Sequence, residues 1–245
     1  TSYGSDLNGE YLLPKLLEQL NPIEGLKWLR LLYAYPYRFT NDMIDAVRDV
    51  DKVLPYIDMP LQHINDRMLK RMGRRMGQVG TTKLFERMRS RIPGLALRTT
   101  FIVGFPGETE EEFQQLIDFV EEFRIERVGA FTYSVEEGTP AAKLKDQIPE
   151  DVQQDRLDRL MMAQQKVAYE WNQSRLGTEE LVLIDGVEPS ESNPSELIRF
   201  GRSFAEAPEI DGKIIVPMDI GNIGDYRRVK IVGTQDYDLL AEGLD

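Results

Sequence analysis

The 245 residues contain no cysteine and a single histidine, His63. Without a thiol, this stretch of chain forms no disulfide, offers no thiolate nucleophile and holds no metal through cysteine. One imidazole also excludes a multi-histidine zinc site. No apolar run approaches the ~18 residues needed to span a bilayer. Positive charge is short as well: 30 Lys+Arg stand against 42 Asp+Glu, a net charge of −12. That balance disfavours a protein held to nucleic acid mainly by phosphate contacts. The chain begins at Thr1, with neither an initiator methionine nor a signal-like segment, so it is expected to be a fragment of something longer.

What is present is soluble and globular in composition, with 41% hydrophobic and 29% charged residues, enough for one large domain or two smaller ones. Charge divides the chain. Residues 1–175 carry 24 Lys+Arg against 27 Asp+Glu, whereas residues 176–245 carry 6 against 15, a net of −9. Composition changes at the same place, from alternating helix and strand signals to short β-rich runs broken by Gly, Pro, Asn and Ser. A domain boundary is expected near Leu176–Gly177, giving domains of residues 1–175 and 176–245.

In the first part, helices are expected over Leu7–Leu20, Asn41–Val50 with a Thr40 cap, Asn65–Met72, Thr81–Arg91 and Glu108–Phe123. Strands are expected over Lys27–Ala34, Val53–Met59, Ala96–Val103 and Arg127–Tyr133. In the helix from Glu108, apolar Phe113, Leu116, Ile117 and Val120 repeat at helical spacing, and the acids Glu108, Glu110, Glu111 and Glu112 suit its positive end. Pro149 opens a long helix to about Arg175. Strands spaced by helices imply parallel β/α units, and four strands are too few to close a barrel of about eight. The tail offers five short strands near Glu180–Ile184, Glu196–Phe200, Lys213–Pro217, Arg227–Val232 and Asp236–Leu240, the pattern of a small antiparallel OB-like barrel.

In β/α architectures the site lies at the C-terminal ends of the strands. Those ends read Tyr33-Ala-Tyr-Pro-Tyr-Arg-Phe39, Asp58-Met-Pro-Leu-Gln-His-Ile-Asn-Asp66, Arg98-Thr-Thr-Phe-Ile-Val-Gly-Phe-Pro-Gly-Glu-Thr109 and Phe131-Thr-Tyr-Ser-Val-Glu-Glu-Gly-Thr-Pro140. Polar and aromatic residues, Gly and Pro cluster at all four. Gln62 and His63 follow Pro60 and can turn inward toward a ligand; the competing reading makes His63 a satisfied turn histidine. Arg98 inside an apolar strand needs an anion, from Glu108, Asp58 or a bound ligand. Tyr33, Tyr35 and Tyr37 either stack on a base or pad the barrel mouth. Arg67, Lys70, Arg71, Arg74 and Arg75 read as a solvated basic face, with contact to rRNA or to an acidic partner domain as the alternative.

Together, Arg30–Thr40, Val53–His63, Leu97–Thr109 and Phe131-Thr-Tyr-Ser with its Glu-Glu-Gly-Thr-Pro tail resemble the radical S-adenosylmethionine (SAM) methylthiotransferases. The resemblance runs the length of the chain and ends in a TRAM-like domain. Pro60-Leu-Gln-His63 and Gly201–Gly212 resemble the RimO-type branch, which modifies an aspartate of small-subunit ribosomal protein twelve. The tRNA-modifying MiaB-type branch usually has serine where His63 stands. The resemblance implies a partial radical SAM (β/α) barrel followed by a TRAM barrel, a methylthio transfer to the β-carbon of that aspartate, and a cytoplasmic location. It also implies SAM and two 4Fe–4S clusters as cofactors of the full-length protein. The cluster-binding cysteines are absent here, so this fragment is expected to ligate neither cluster and to be inactive alone.

By the same resemblance Gln62, His63, Arg98, Thr100, Gly104, Phe131, Thr132, Tyr133 and Ser134 are expected to face SAM. Thr100 stands where glycine is usual in the GxIxG strand that packs on adenine. The acidity of the last 70 residues favours a basic ribosomal protein over tRNA as the partner. The alternatives are a tRNA methylthiotransferase and a non-catalytic acidic module that docks on a basic ribosomal protein. Finally, the resemblance implies a six-stranded partial barrel of which two strands are absent here, so the edge beside Lys27–Ala34 is expected to need cover from a nearby segment or a second copy.

Overall fold

A computed structural model describes residues 1–190 and 193–244. The chain divides into two compact units, Thr1–Gln164 and Gln165–Asp245.

The first unit opens with α1 (Ser5–Asn8) and α2 (Leu13–Leu20), followed by β1 (Leu29–Leu31), α3 (Asn41–Asp49) and β2 (Val53–Asp58). It continues with α4 (Asp66–Arg71), α5 (Gln78–Arg91), β3 (Ala96–Val103), α6 (Glu110–Phe123) and β4 (Arg127–Thr132). The long helix α7 (Glu150–Ser174) closes it and runs into the second unit. The four strands form one parallel sheet in the order β1-β2-β3-β4. Parallel strands require crossovers, and each is supplied by helices. The core lies between sheet and helices: Ile57, Leu97 and Phe101 from one face of the strands, and Met43, Ile44, Phe85, Met88, Phe113 and Leu116 from α3, α5 and α6, are all essentially solvent-free.

Two expected elements are shorter. The helix expected over Leu7–Leu20 is two helices, because Gly9 adopts the left-handed region (φ 80°) and ends the first turn. The Lys27–Ala34 strand shrinks to Leu29–Leu31, and Tyr33 beyond it is itself left-handed (φ 56°). β1 and β4 are the outer strands of the sheet among the described residues. Helix α6 begins at Glu110 with Thr109 as cap: the Thr109 hydroxyl accepts from Glu112 N–H and the Glu112 carboxylate accepts from Thr109 N–H. Glu108 therefore lies outside the helix, not in its first turn.

The second unit holds the end of α7 and a closed barrel of β5 (Glu179–Pro189), β6 (Leu197–Arg202), β7 (Ile214–Val216), β8 (Tyr226–Gln235) and β9 (Asp238–Gly243) in the order β5-β6-β7-β9-β8. Closure removes free edges. The expected all-antiparallel pattern is corrected at one pair: β7 and β9 run parallel. β5 extends past its expected end because Gly186 bends it across Phe200, where a Cβ would meet the ring at 2.9 Å. Inward residues Val182, Ile184, Ile214, Val216, Val229, Ile231, Leu239 and Ala241 fill the barrel. The last turn of α7 is tied to it by Arg175, whose guanidinium pairs with Glu180 (2.7 Å) and Glu206 (2.5 Å).

Candidate functional site

On β3 the side chains alternate. Thr99, Phe101 and Val103 are buried, while Arg98, Thr100 and Ile102 face the other side of the sheet. Asp58, at the end of β2, accepts from Arg98 Nη1 (3.1 Å) and from the Tyr33 backbone N–H (3.0 Å). The Arg98 Nη1 also lies 3.2 Å from Thr100 Oγ1. Of the partners expected for Arg98, Asp58 is the carboxylate. Glu108 lies elsewhere.

Beyond β2, Pro60 interrupts pairing and the chain then rejoins β3. Gln62 N–H donates to Thr100 O (2.8 Å), and Ile102 N–H donates to Gln62 O (2.9 Å). Gln62 achieves this in the left-handed region (φ 73°), a backbone state that costs energy and recurs at functional sites. The Thr99 hydroxyl fastens the same loop, donating to Met59 O (2.9 Å) and accepting from Leu61 N–H (3.2 Å).

A cavity of about 750 Å³ opens at these strand ends. Its lining brings together Gln62, Thr100, Ile102, Phe105 and the Phe131–Ser134 segment after β4, with Arg71–Arg74 from the end of α4 and Glu136 and Thr139–Ala141 from the following loop. The wall is largely apolar with a few polar groups, as in small-molecule sites. Six of the nine expected residues line it: Gln62, Thr100, Phe131, Thr132, Tyr133 and Ser134.

His63, Arg98 and Gly104 do not, and each has a structural reason. His63 is fully buried. Its Nδ1 accepts the backbone N–H groups of Ile64 (2.9 Å) and Asn65 (3.0 Å), which places the ring proton on Nε2, 2.9 Å from Glu108 Oε1. It is the satisfied turn histidine. Arg98 lies deeper, against Asp58 and beside Gly129, whose missing side chain leaves room for the guanidinium. Gly104 is left-handed (φ 71°), donates its N–H to Glu108 Oε2 (2.8 Å), and packs where a Cβ would strike Gln153. Glu108 also accepts from Arg156 Nη1 of α7 (2.7 Å). One buried carboxylate thus joins the loop after β2, the turn after β3 and α7.

Composition alone assigned Arg71 and Arg74 to a basic surface; both line the cavity instead. The basic run is largely partnered: Arg67 pairs with Glu112 (2.5 Å) and Arg71 with Asp146 (2.9 Å), while Arg74 lies over Tyr35 and Arg75 over Tyr37, each 5.7 Å from the ring centroid. Tyr35 and Tyr37 are shelves for arginines, a form of padding. Gly73 followed by arginine at a helix end was the available signal.

Residues 10–120 match the radical SAM superfamily and residues 176–243 match the TRAM domain. The chain joins a radical SAM segment to a TRAM domain. It is 47% identical over 242 residues to ribosomal protein uS12 methylthiotransferase RimO of Geotalea uraniireducens (strain Rf4), covering 99% of this chain and 53% of that protein. It is 46% identical over 242 residues to the protein of the same name from Geobacter sulfurreducens (strain ATCC 51573 / DSM 12127 / PCA), again covering 99% and 53%. The chain thus spans about half the length of the curated relatives it matches. The cavity at the ends of β2, β3 and β4 belongs to the radical SAM segment and to the strand that follows it.

Among the described residues no helix is long and apolar enough to cross a membrane.

Proposed function

We propose that this chain is part of a cytoplasmic RimO-type methylthiotransferase, which adds a methylthio group to the β-carbon of an aspartate in a basic small-subunit ribosomal protein. The observation that carries this reading is the cavity at the strand ends, lined by six expected SAM-facing residues within a chain similar to that enzyme over nearly its whole length.

SAM fits the residues present. The cavity of about 750 Å³ is large enough for a nucleoside with an amino-acid arm, and Ile102, Phe105 and Phe131 offer apolar and aromatic surface for an adenine. Gln62, Thr100, Thr132 and Ser134 supply neutral hydrogen-bonding groups for the ribose and the amino-acid arm. His63, Arg98, Gly104 and Glu108 hold the loops that carry them. No iron–sulfur cluster fits this chain, which has no cysteine. When bound, SAM and the clusters supply the hydrogen-abstracting group, the sulfur and the methyl. The residues here bind, orient and exclude water.

For the second domain, residues 176–245, we assign docking of the basic protein substrate. Arg202, Lys213 and Arg227 are taken up in ion pairs with Asp185, Glu188 and Asp225, and Arg228 and Lys230 are exposed. Glu179, Glu196, Glu209, Asp219, Asp236 and Glu242 remain exposed. Such a surface accelerates encounter with a cationic partner and repels a phosphate backbone.

The test offers the anaerobically reconstituted full-length protein, with SAM and reductant, the basic ribosomal protein and tRNA at matched salt. Mass spectrometry should find one methylthio group on an aspartyl residue. Modification of tRNA instead, or of neither substrate, would overturn the reading.

A further inference from the structure

The C-terminus of α4 is a Schellman turn: Gly73 N–H donates to Lys70 O (3.1 Å) and Arg74 N–H donates to Leu69 O (2.8 Å). Gly73 sits at φ 70°, where a side chain would be strained. The backbone of Arg74 is therefore fixed, and its guanidinium lies over Tyr35 at 5.7 Å from the ring centroid. A guanidinium held beside an aromatic face spends none of its N–H groups on it, which leaves the fork free to grip a carboxylate through two bonds.

Arg74 lines the cavity together with two other charged side chains, Arg71 and Glu136. Arg71 Nη2 donates to both oxygens of Asp146, at 2.9 and 3.0 Å, which neutralises its charge, while its buried Nε has no partner among the described residues. Glu136 is exposed and lies 3.4 Å from the Ser134 hydroxyl. Arg74 has no carboxylate within ion-pair distance among the described residues. A cation in a largely apolar wall gains most when a ligand supplies the anion, because water screens little there.

Resting on the function proposed above, we propose that Arg74 binds the side-chain carboxylate of the substrate aspartate. Two parallel N–H···O bonds from a fixed arginine would immobilise both carboxylate oxygens and so set the direction in which the adjacent β-carbon presents its hydrogens. Arg74 would exchange neither proton nor electron; it is a substrate-binding residue. An asparagine offers one acceptor oxygen and an amide NH2 that faces the guanidinium donor to donor, so the same contact selects aspartate.

The experiment measures fluorescence anisotropy of a labelled peptide carrying the target aspartate, and of the same peptide with asparagine there. The binding proteins are full-length wild type, Arg74→Gln and Arg74→Lys, with SAM binding measured in parallel. Wild type should prefer the aspartate peptide. Arg74→Gln should weaken that peptide tenfold or more and leave the asparagine peptide and SAM unchanged; Arg74→Lys should fall between, keeping charge without the fork. Equal loss on both peptides, no loss on either, or loss confined to SAM (whose own carboxylate would then be the ligand) would each overturn the role given to Arg74. Wild type that binds neither peptide would overturn the functional reading, and the role of Arg74 with it. Matching thermal unfolding of the three proteins shows that the variants fold.

Discussion

Glu108 Oε1 lies 2.9 Å from His63 Nε2, and neither side chain touches solvent. The same carboxylate receives Arg156 Nη1 and the N–H of Gly104. Removing it takes the nearest carboxylate from a buried guanidinium, leaving Glu110 at 3.7 Å, and strands two N–H donors at once. Glu108→Ala should therefore cost about 3–5 kcal/mol in urea unfolding, the usual range for breaking a buried ion pair. Glu108→Gln, which keeps an acceptor, should cost distinctly less, whereas equal losses would mean that the charge and hydrogen bonds do not matter there.

Gly104 and Gly94 separate backbone strain from crowding. Both are left-handed, at φ 71° and 67°, but a Cβ at Gly94 meets nothing within 4 Å while one at Gly104 strikes Gln153 at 2.4 Å. Gly94→Ala should cost about 1–2 kcal/mol, the left-handed penalty alone. Gly104→Ala should cost more, and Gln153→Ala in the same chain should recover part of the difference. The measurement is the shift in unfolding midpoint across the three variants.

Glu112 gives a pH dependence. Burial alone would raise its pKa, but the Arg67 guanidinium and the Thr109 N–H outweigh this and hold the carboxyl below its ordinary value. The unfolded chain then binds a proton at higher pH than the folded one. The stabilisation is present above the ordinary carboxylate range and is lost as pH falls through the lowered value. Glu112→Gln should flatten the decline of stability on acidification below about pH 5. An unchanged slope would contradict the assignment.

In the second unit, Arg175 is buried between Glu180 and Glu206, and also lies over Trp171 at 4.6 Å. Burial would lower its pKa, but the two carboxylates raise it well above the ordinary arginine value. It therefore stays charged at any working pH. Arg175→Met alone should destabilise the unit by about 3–5 kcal/mol, because it leaves two buried acids unpaired. Adding Glu206→Gln should restore a good part of that loss in thermal unfolding.

Sequence made the β/α alternation, the five tail strands, the Thr40 cap and the cluster of strand ends legible, because these rest on local periodicity and turn chemistry. It could not separate Gln62 from His63. The two are neighbours, and the left-handed backbone at Gln62 leaves its side chain in the cavity wall while the imidazole is buried against Glu108. Nor could it choose between Asp58 and Glu108 for Arg98: Glu108 follows Arg98 in the same β/α unit, whereas the observed partner Asp58 comes from the neighbouring strand, a pairing that depends on sheet register. Arg74 read as surface charge because helical periodicity says nothing about a residue placed by a Schellman turn. The parallel pairing of β7 with β9 was hidden for a similar reason: it joins strands that are not consecutive.

The central claim is that the cavity at the ends of β2–β4 is where SAM sits. Equilibrium binding of SAM to the full-length protein, wild type against Ile102→Trp, tests it directly. The residue lines the cavity and Glu108 does not, so an indole there takes up space in the cavity. The account predicts stoichiometric binding by wild type and its loss, tenfold or more, in a variant whose unfolding temperature is little changed. Undiminished SAM binding by a folded Ile102→Trp protein would contradict it.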